Sequence, residues 1–331
     1  MNTKLSLPTL ALSLTVLACG NGSGSSDGAT IAVVTTVSPI RNIIENVGGD
    51  RVTVRSLVPE GTNSHTFEPP PSAARHIAEA DLIVINGLNL ELPALELAES
   101  NKGRGVEIVF LGEATVSTGE YVYDFSFPEE GGDPNPHLWT DPILAAAYAD
   151  HVRDALGRLD PGGAAYYAAN AAAFRARIDL LDAAVNAAVS TIPEEQRRLL
   201  TYHDSFPYFG ARYGLTIIGA IQPSNFSEPS PREVADLIGQ IRELGVRAIF
   251  GSEVFPSEVL KTIADEAGAV QVDTLRDDDL PGEAGDPENT YLAMMVEDVR
   301  AIVRGLGGDA AALDGFDTTD SWVPFDEFAN N

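Results

Sequence analysis

The sequence predicts an α/β protein of two similar lobes, each on a parallel sheet, joined by one long spine helix. Three observations carry this. Short apolar runs alternate with helical stretches from about residue 30 to 307, the pattern of parallel strands with crossover helices. The alanine-rich stretch 164–191 carries Leu, Ile, Val and Phe at helical spacing. At 1.5 Å per residue it would reach roughly 40 Å, a length that suits a spine between lobes better than a helix within one. The chain length of 331 residues exceeds one ordinary core and suits two domains.

The elements follow in order. Residues 30–163 form the expected N-terminal lobe. Ile31 to Thr35 reads as a buried strand, and Ser38-Pro39 opens a helix that stops at Gly48-Gly49. Arg51 to Val58 is a strand running into a proline-rich loop through His65 to Pro71, which can form neither helix nor ladder. Ser72 is expected to cap a helix to Ala80; Asp81 to Asn86 and Val106 to Leu111 are strands around a helix near Glu91 to Ser100. Gly112 to Pro136 is a long acidic and aromatic loop, and loops of that length usually carry function. Pro142 to Leu159 is a helix with Thr140 or Asp141 as cap, broken by Pro161-Gly162-Gly163.

Residues 164–191 are the linking helix, and residues 192–307 the expected C-terminal lobe. Its strands are Arg198 to Tyr202, Leu215 to Ala220, Arg247 to Gly251 and Val270 to Val272. Its helices are Pro207 to Tyr213, with Asp204-Ser205 at its start, then Ser230 to Leu244, Pro256 to Gly268 and Thr290 to Leu306. Residues 308–331 form an acidic tail with Trp322, Phe325 and Phe328, expected to pack on the C-terminal lobe or stay disordered.

Composition narrows the function. A formal net charge of −28 repels nucleic acid and anionic lipid surfaces. The single cysteine, Cys19, excludes an internal disulfide. Residues 1–18 are a short basic start and an apolar run too short to span a bilayer. Val16-Leu17-Ala18-Cys19 then resembles a bacterial lipobox, and residues 19–29 form a Gly/Ser tether. The reading is a lipoprotein anchored through Cys19, extracytoplasmic and monomeric, periplasmic if there is an outer membrane.

Four candidate metal ligands stand at near-equal intervals: His65, His137, His203 and Asp273. His65 and His137 sit in proline-stiffened loops, a rigid base for an imidazole. Each candidate lies beyond a strand, where open α/β sheets bind ligands. Three imidazoles and one carboxylate would close a shell around a divalent transition metal. Asp277, Asp278 and Asp279 compete with Asp273, Asp279 most directly; His76 and His151 lie in helices and are read as non-ligands.

With these residues in place, the chain resembles the metal-binding lipoproteins of bacterial zinc and manganese ABC importers, the cluster A-I or TroA-like solute-binding family. The matching pieces are Gly61-Thr62-Asn63-Ser64-His65-Thr66-Phe67-Glu68-Pro69, Asn86-Gly87-Leu88-Asn89-Leu90-Glu91, and Asn135-Pro136-His137-Leu138-Trp139-Thr140-Asp141-Pro142. Tyr202-His203-Asp204-Ser205-Phe206-Pro207, Gly251-Ser252-Glu253 and Val272-Asp273-Thr274-Leu275 complete the core of the match. The resemblance implies two lobes on a helical backbone with the metal between them, held by His65, His137, His203 and Asp273. It implies Zn²⁺ or Mn²⁺ as transported cargo and a membrane permease as partner. The loop before His137 lacks the histidines frequent in zinc-specific members, whereas His203 stands where manganese-type members often have a carboxylate. Nitrogen-rich ligation favours zinc. Affinity should fall as pH drops through the histidine range, because the ligands must be deprotonated.

Two other classes are weighed. A metal-stabilised adhesin would bind metal without importing it. A secreted metallohydrolase would need an open coordination position and a general base, Glu68 or Glu253, but the chain has no HExxH spacing.

Overall fold

The first sheet begins with β1 (Ile31–Thr35), whose buried valines are followed by α1 (Ser38–Gly48), a helix with Pro39 in its first turn. Then come β2 (Val52–Ser56), α2 (Ala73–Ala78), β3 (Leu82–Ile85), α3 (Leu92–Asn101), β4 (Glu107–Phe110) and α4 (Leu111–Thr115). All pairings are parallel, in the order β2-β1-β3-β4. The computed structural model describes residues 30–254 and 258–330, without the side chains of Asp273 and Thr274. The leader, Cys19 and the tether lie outside the described residues.

Next come α5 (Pro142–Leu159) and α6 (Ala164–Ser190). Asp141 caps α5, its Oδ1 accepting from the amides of Ile143 and Leu144. The spine α6 buries Tyr167, Ala171, Phe174, Ile178, Leu181 and Val185, one stripe at helical spacing. That stripe belongs to a single core that also takes in α1, α5 and the last long helix.

The second sheet repeats the first. Its elements are β5 (Arg198–Thr201), α7 (Pro207–Tyr213), β6 (Thr216–Ala220), α8 (Pro231–Leu244), β7 (Ala248–Ser252), α9 (Glu258–Ala267), β8 (Val270–Leu275), α10 (Tyr291–Gly305) and the short α11 (Phe325–Ala329). The order β6-β5-β7-β8 has the same topology as the first sheet, again all parallel. Ser230 caps α8 through a capping box with Glu233, and Gly245 ends it in the left-handed conformation that favours glycine.

Several expectations are corrected. Ser72 makes no side-chain cap on α2. Residues Leu111–Thr115, read as the end of a strand and the start of a loop, form a helix. Asp204 does not cap α7: that helix starts at Pro207 without a side-chain cap, and Asp204 serves the long loop instead. The strand β8 runs on to Leu275, so Asp273 lies within it rather than after it. The tail does not stay on the C-terminal half. Asp320 accepts from Asn42 and Asn46 of α1, and Phe325 and Phe328 pack on Tyr166 at the start of α6.

Candidate metal centre

The loops after the carboxyl ends of both sheets converge on three imidazoles. His65 follows β2, His137 precedes α5, and His203 follows β5. His137 and His203 are fully buried, and His65 forms the partly exposed outer side. Their Nε2 atoms lie 3.2 Å (His65–His137), 3.3 Å (His65–His203) and 3.0 Å (His137–His203) apart. A tetrahedral zinc shell with Zn–N bonds of 2.0–2.1 Å sets neighbouring nitrogens about 3.3 Å apart. The triangle therefore already has close to the edge length of one face of such a shell.

Hydrogen bonds assign the tautomers. His137 Nδ1 lies 2.9 Å from Asn135 Oδ1, while the Asn135 amide nitrogen donates to the carbonyl of Asp204 and to Asp124 Oδ2. The amide orientation is thus set from its far side, so Nδ1 carries the proton and Nε2 keeps its lone pair. Gln222 does the same for His203: its Oε1 lies 2.8 Å from His203 Nδ1, and its Nε2 donates to the Phe226 carbonyl. Burial, then the neighbouring imidazole of His203, hold His65 well below the usual histidine range. Burial, then His203 and His65, do so for His137. Both rings are neutral at neutral pH, as a metal ligand requires, and proton competition moves to more acidic pH.

Among the described residues, a carboxylate also stands beside the triad. Asp277 Oδ2 is 3.7 Å from His203 Nε2, both side chains are buried, and this oxygen has no hydrogen-bond partner. The other competing acids have different tasks. Asp278 Oδ2 accepts from the amide of Ser64, and Asp279 Oδ2 accepts from that of Gly61. These two carboxylates latch the loop that carries His65 to the segment after β8. Glu253, weighed as a general base, uses Oε1 to accept the amides of Asp277 and Asp279 and so shapes that segment. Asp273 lies on β8, with its side chain outside the described residues. His76 and His151 lie on α2 and α5, away from the cluster.

Sequence reasoning missed Asn135, Gln222, Asp124 and Phe226. Asn135 was within reach of it, because it stands two residues from His137, the spacing of a side chain that turns back on a neighbouring backbone amide; its Oδ1 accepts from His137 N at 3.1 Å. Nothing local marks Gln222, which lies beyond a different strand.

The chain matches known proteins along most of its length. The family model for the zinc-uptake complex component A, periplasmic (ZnuA), matches residues 33–305. The chain is 30% identical to the manganese-binding lipoprotein MntA of Halalkalibacterium halodurans, over 90% of this chain and 96% of that protein. It is 32% identical to the iron-binding protein YfeA of Yersinia pestis, over 89% of this chain and 92% of that one. The solved structure of the periplasmic zinc-binding protein TroA from Treponema pallidum superposes with a TM-score of 0.76 at 28% identity, covering 84% of this chain and 99% of that one.

Proposed function

Because the chain belongs to the zinc-uptake complex component A family, we propose that it captures Zn²⁺ between its two lobes and delivers it to a membrane permease, with Mn²⁺ the second-ranked cargo. It is an extracytoplasmic substrate-binding component of a metal ABC importer and not an enzyme. The observation that carries the choice of site is the convergence of the three Nε2 atoms within 3.3 Å of one another. In this reading His65, His137 and His203 are ligands. A carboxylate from β8 or the turn beyond it closes the shell: Asp273 holds the motif position, and Asp277 Oδ2 stands beside His203. Three imidazole nitrogens rank zinc above manganese in the stability order of divalent ions. The anchor is an acylated Cys19, and the protein works as a monomer. Among the described residues no helix is long and apolar enough to cross a membrane.

Capture follows from pre-organisation. Asn135 and Gln222 hold two imidazoles in the metal-accepting tautomer before cargo arrives, so little rotamer freedom is lost on binding. Release requires the loops from the two sheets to part, and the latches from Asp278 and Asp279 to the His65 loop are bonds that such a movement breaks.

The test is a chelator-competition titration of the soluble protein from Asp27 onward, freed of metal, with Zn²⁺ and then Mn²⁺. One tight equivalent of Zn²⁺, bound more strongly than Mn²⁺ and lost in His137→Ala, is the expected result. Comparing Asp273→Asn with Asp277→Asn identifies the carboxylate donor. A folded wild type that binds neither ion overturns the reading.

A further inference from the structure

A cavity of about 270 Å³ lies outside the triad, lined by His65, Leu88, Asn89, Phe127, Asp133 and Phe226 among others. His65 is the only triad member that lines it, so the cavity meets the triad on the His65 side. Three non-glycine residues among those described have a positive φ: Leu88 at 51°, Asn89 at 61° and Phe226 at 57°. All three line this cavity. Left-handed backbone is uncommon outside glycine and asparagine, and for an aromatic residue it persists only where its surroundings impose it.

The surroundings of Phe226 do impose it. Its amide donates to the Pro223 carbonyl at 2.9 Å, closing a turn that starts at a rigid proline. On the other side, Asn225 Oδ1 accepts from the amide and hydroxyl of Ser227. The ring is thereby laid flat on the His65 imidazole, with centroids 4.4 Å apart and planes 17° from parallel. Phe127 covers the same imidazole from a second direction at 5.5 Å. The Phe226 carbonyl meanwhile accepts from Gln222, whose other end sets the tautomer of His203.

We infer that Phe226 is a positioning residue for cargo retention: its ring fixes the His65 imidazole and closes the cavity side of the site, and its turn couples His65 to His203 through Gln222. Movement of residues 222–227 uncovers His65 and frees the Gln222 amide in the same step. Two of the three imidazole ligands then loosen together, so exit of the ion is governed by one short turn. The inference rests on the triad being the cargo site, and it commits to Phe226 as a determinant of release rate. The strained backbone gives the turn an alternative to which it can relax.

The experiment measures Zn²⁺ release by stopped-flow chelator exchange in the wild type, Phe226→Ala, Phe226→Gly and Phe226→Tyr. Loss of one aromatic contact corresponds to about a three- to tenfold faster release. Phe226→Ala and Phe226→Gly should both show it, with association little changed, and Phe226→Tyr, which keeps the ring, should match the wild type. Phe226→Gly also removes the φ strain, so its metal-free form should melt no lower than that of Phe226→Ala while still releasing fast. A change in the Co²⁺ absorption bands of the alanine variant should report the altered His65 geometry. Release rates in both small variants within twofold of wild type, in protein that binds one equivalent, overturn this inference and leave the cargo site standing. A wild type that binds no metal overturns both.

Discussion

At the scale of single residues, the candidate site is shaped by groups outside the imidazole triad. Asp124, in the long loop, and Asp204, next to His203, interact directly, and each has a buried Oδ1 without a hydrogen-bond donor. Burial, then repulsion from Asp204, push the Asp124 carboxyl up to about 9. One proton shared between the two oxygens explains the arrangement. The folded state holds this proton to about pH 9, whereas the unfolded chain releases it near pH 4. Stability from this group is therefore fully present below about pH 4 and is lost as pH rises toward 9, with a slope of at most about 1.4 kcal/mol per unit. Asp124→Asn supplies a permanent neutral donor to Asp204 and keeps an acceptor for Asn135. Urea unfolding of metal-free protein at pH 5, 7 and 9 should show the variant gaining on the wild type as pH rises. Parallel stability curves would mean the pair does not hold that proton.

At the scale of elements, α6 is the member on which both halves pack. Phe174 sits at its middle, fully buried, and meets Tyr291 of α10 edge-on at 6.0 Å. Phe174→Ala should cost about 3–5 kcal/mol, the range for an aromatic side chain removed from a closed core. Chemical denaturation with the slope held constant measures it. A loss below about 1 kcal/mol would show that the spine is not the shared core. Most elements were legible because their signals are local. Asp141 before Pro142, Ser230 with Glu233, and Pro207 at a helix start act within one turn of chain. The helix at Leu111 and the extra residues of β8 were not legible. The apolar run around Leu111 suits strand or helix equally, and β8 is extended by its pairing with β7, where Ser252 opposes Leu275.

At the scale of the whole molecule, the tail binds the back of the two-lobed body. Thr318 accepts from Thr290 at the start of α10, and Asp320 then accepts from Asn42 and Asn46 of α1. The Val323 carbonyl accepts from the Tyr166 hydroxyl, and the Arg51 guanidinium lies 4.3 Å from the centre of the Phe325 ring. The family model matches residues 33–305, so this strap lies beyond it. Deleting residues 317–331 should lower stability by roughly 2–4 kcal/mol, from half-buried aromatics and their polar anchors. It should leave one equivalent of Zn²⁺ bound, since the tail contacts α1 and α6 rather than the imidazoles. Calorimetry and the chelator titration, run on the same truncated protein, check both halves; an unchanged melting temperature would mean the strap contributes no stability.

By itself, the sequence determined the alternation of strands and helices and the spine, and it marked three histidines that the structure brings together. Each rests on a pattern readable within a short stretch: periodicity, a cap, or a histidine framed by prolines. The carboxylates could not be sorted that way. Asp277, Asp278 and Asp279 are neighbours of one type. Yet one faces His203, and the others accept amides from a loop more than two hundred residues away in the chain. The same holds for Gln222 behind His203, Phe226 over His65 and the tail across α1. Only the tertiary structure decided these, because a hydrogen-bond partner is chosen by proximity after the chain has closed, and sequence distance carries no record of it.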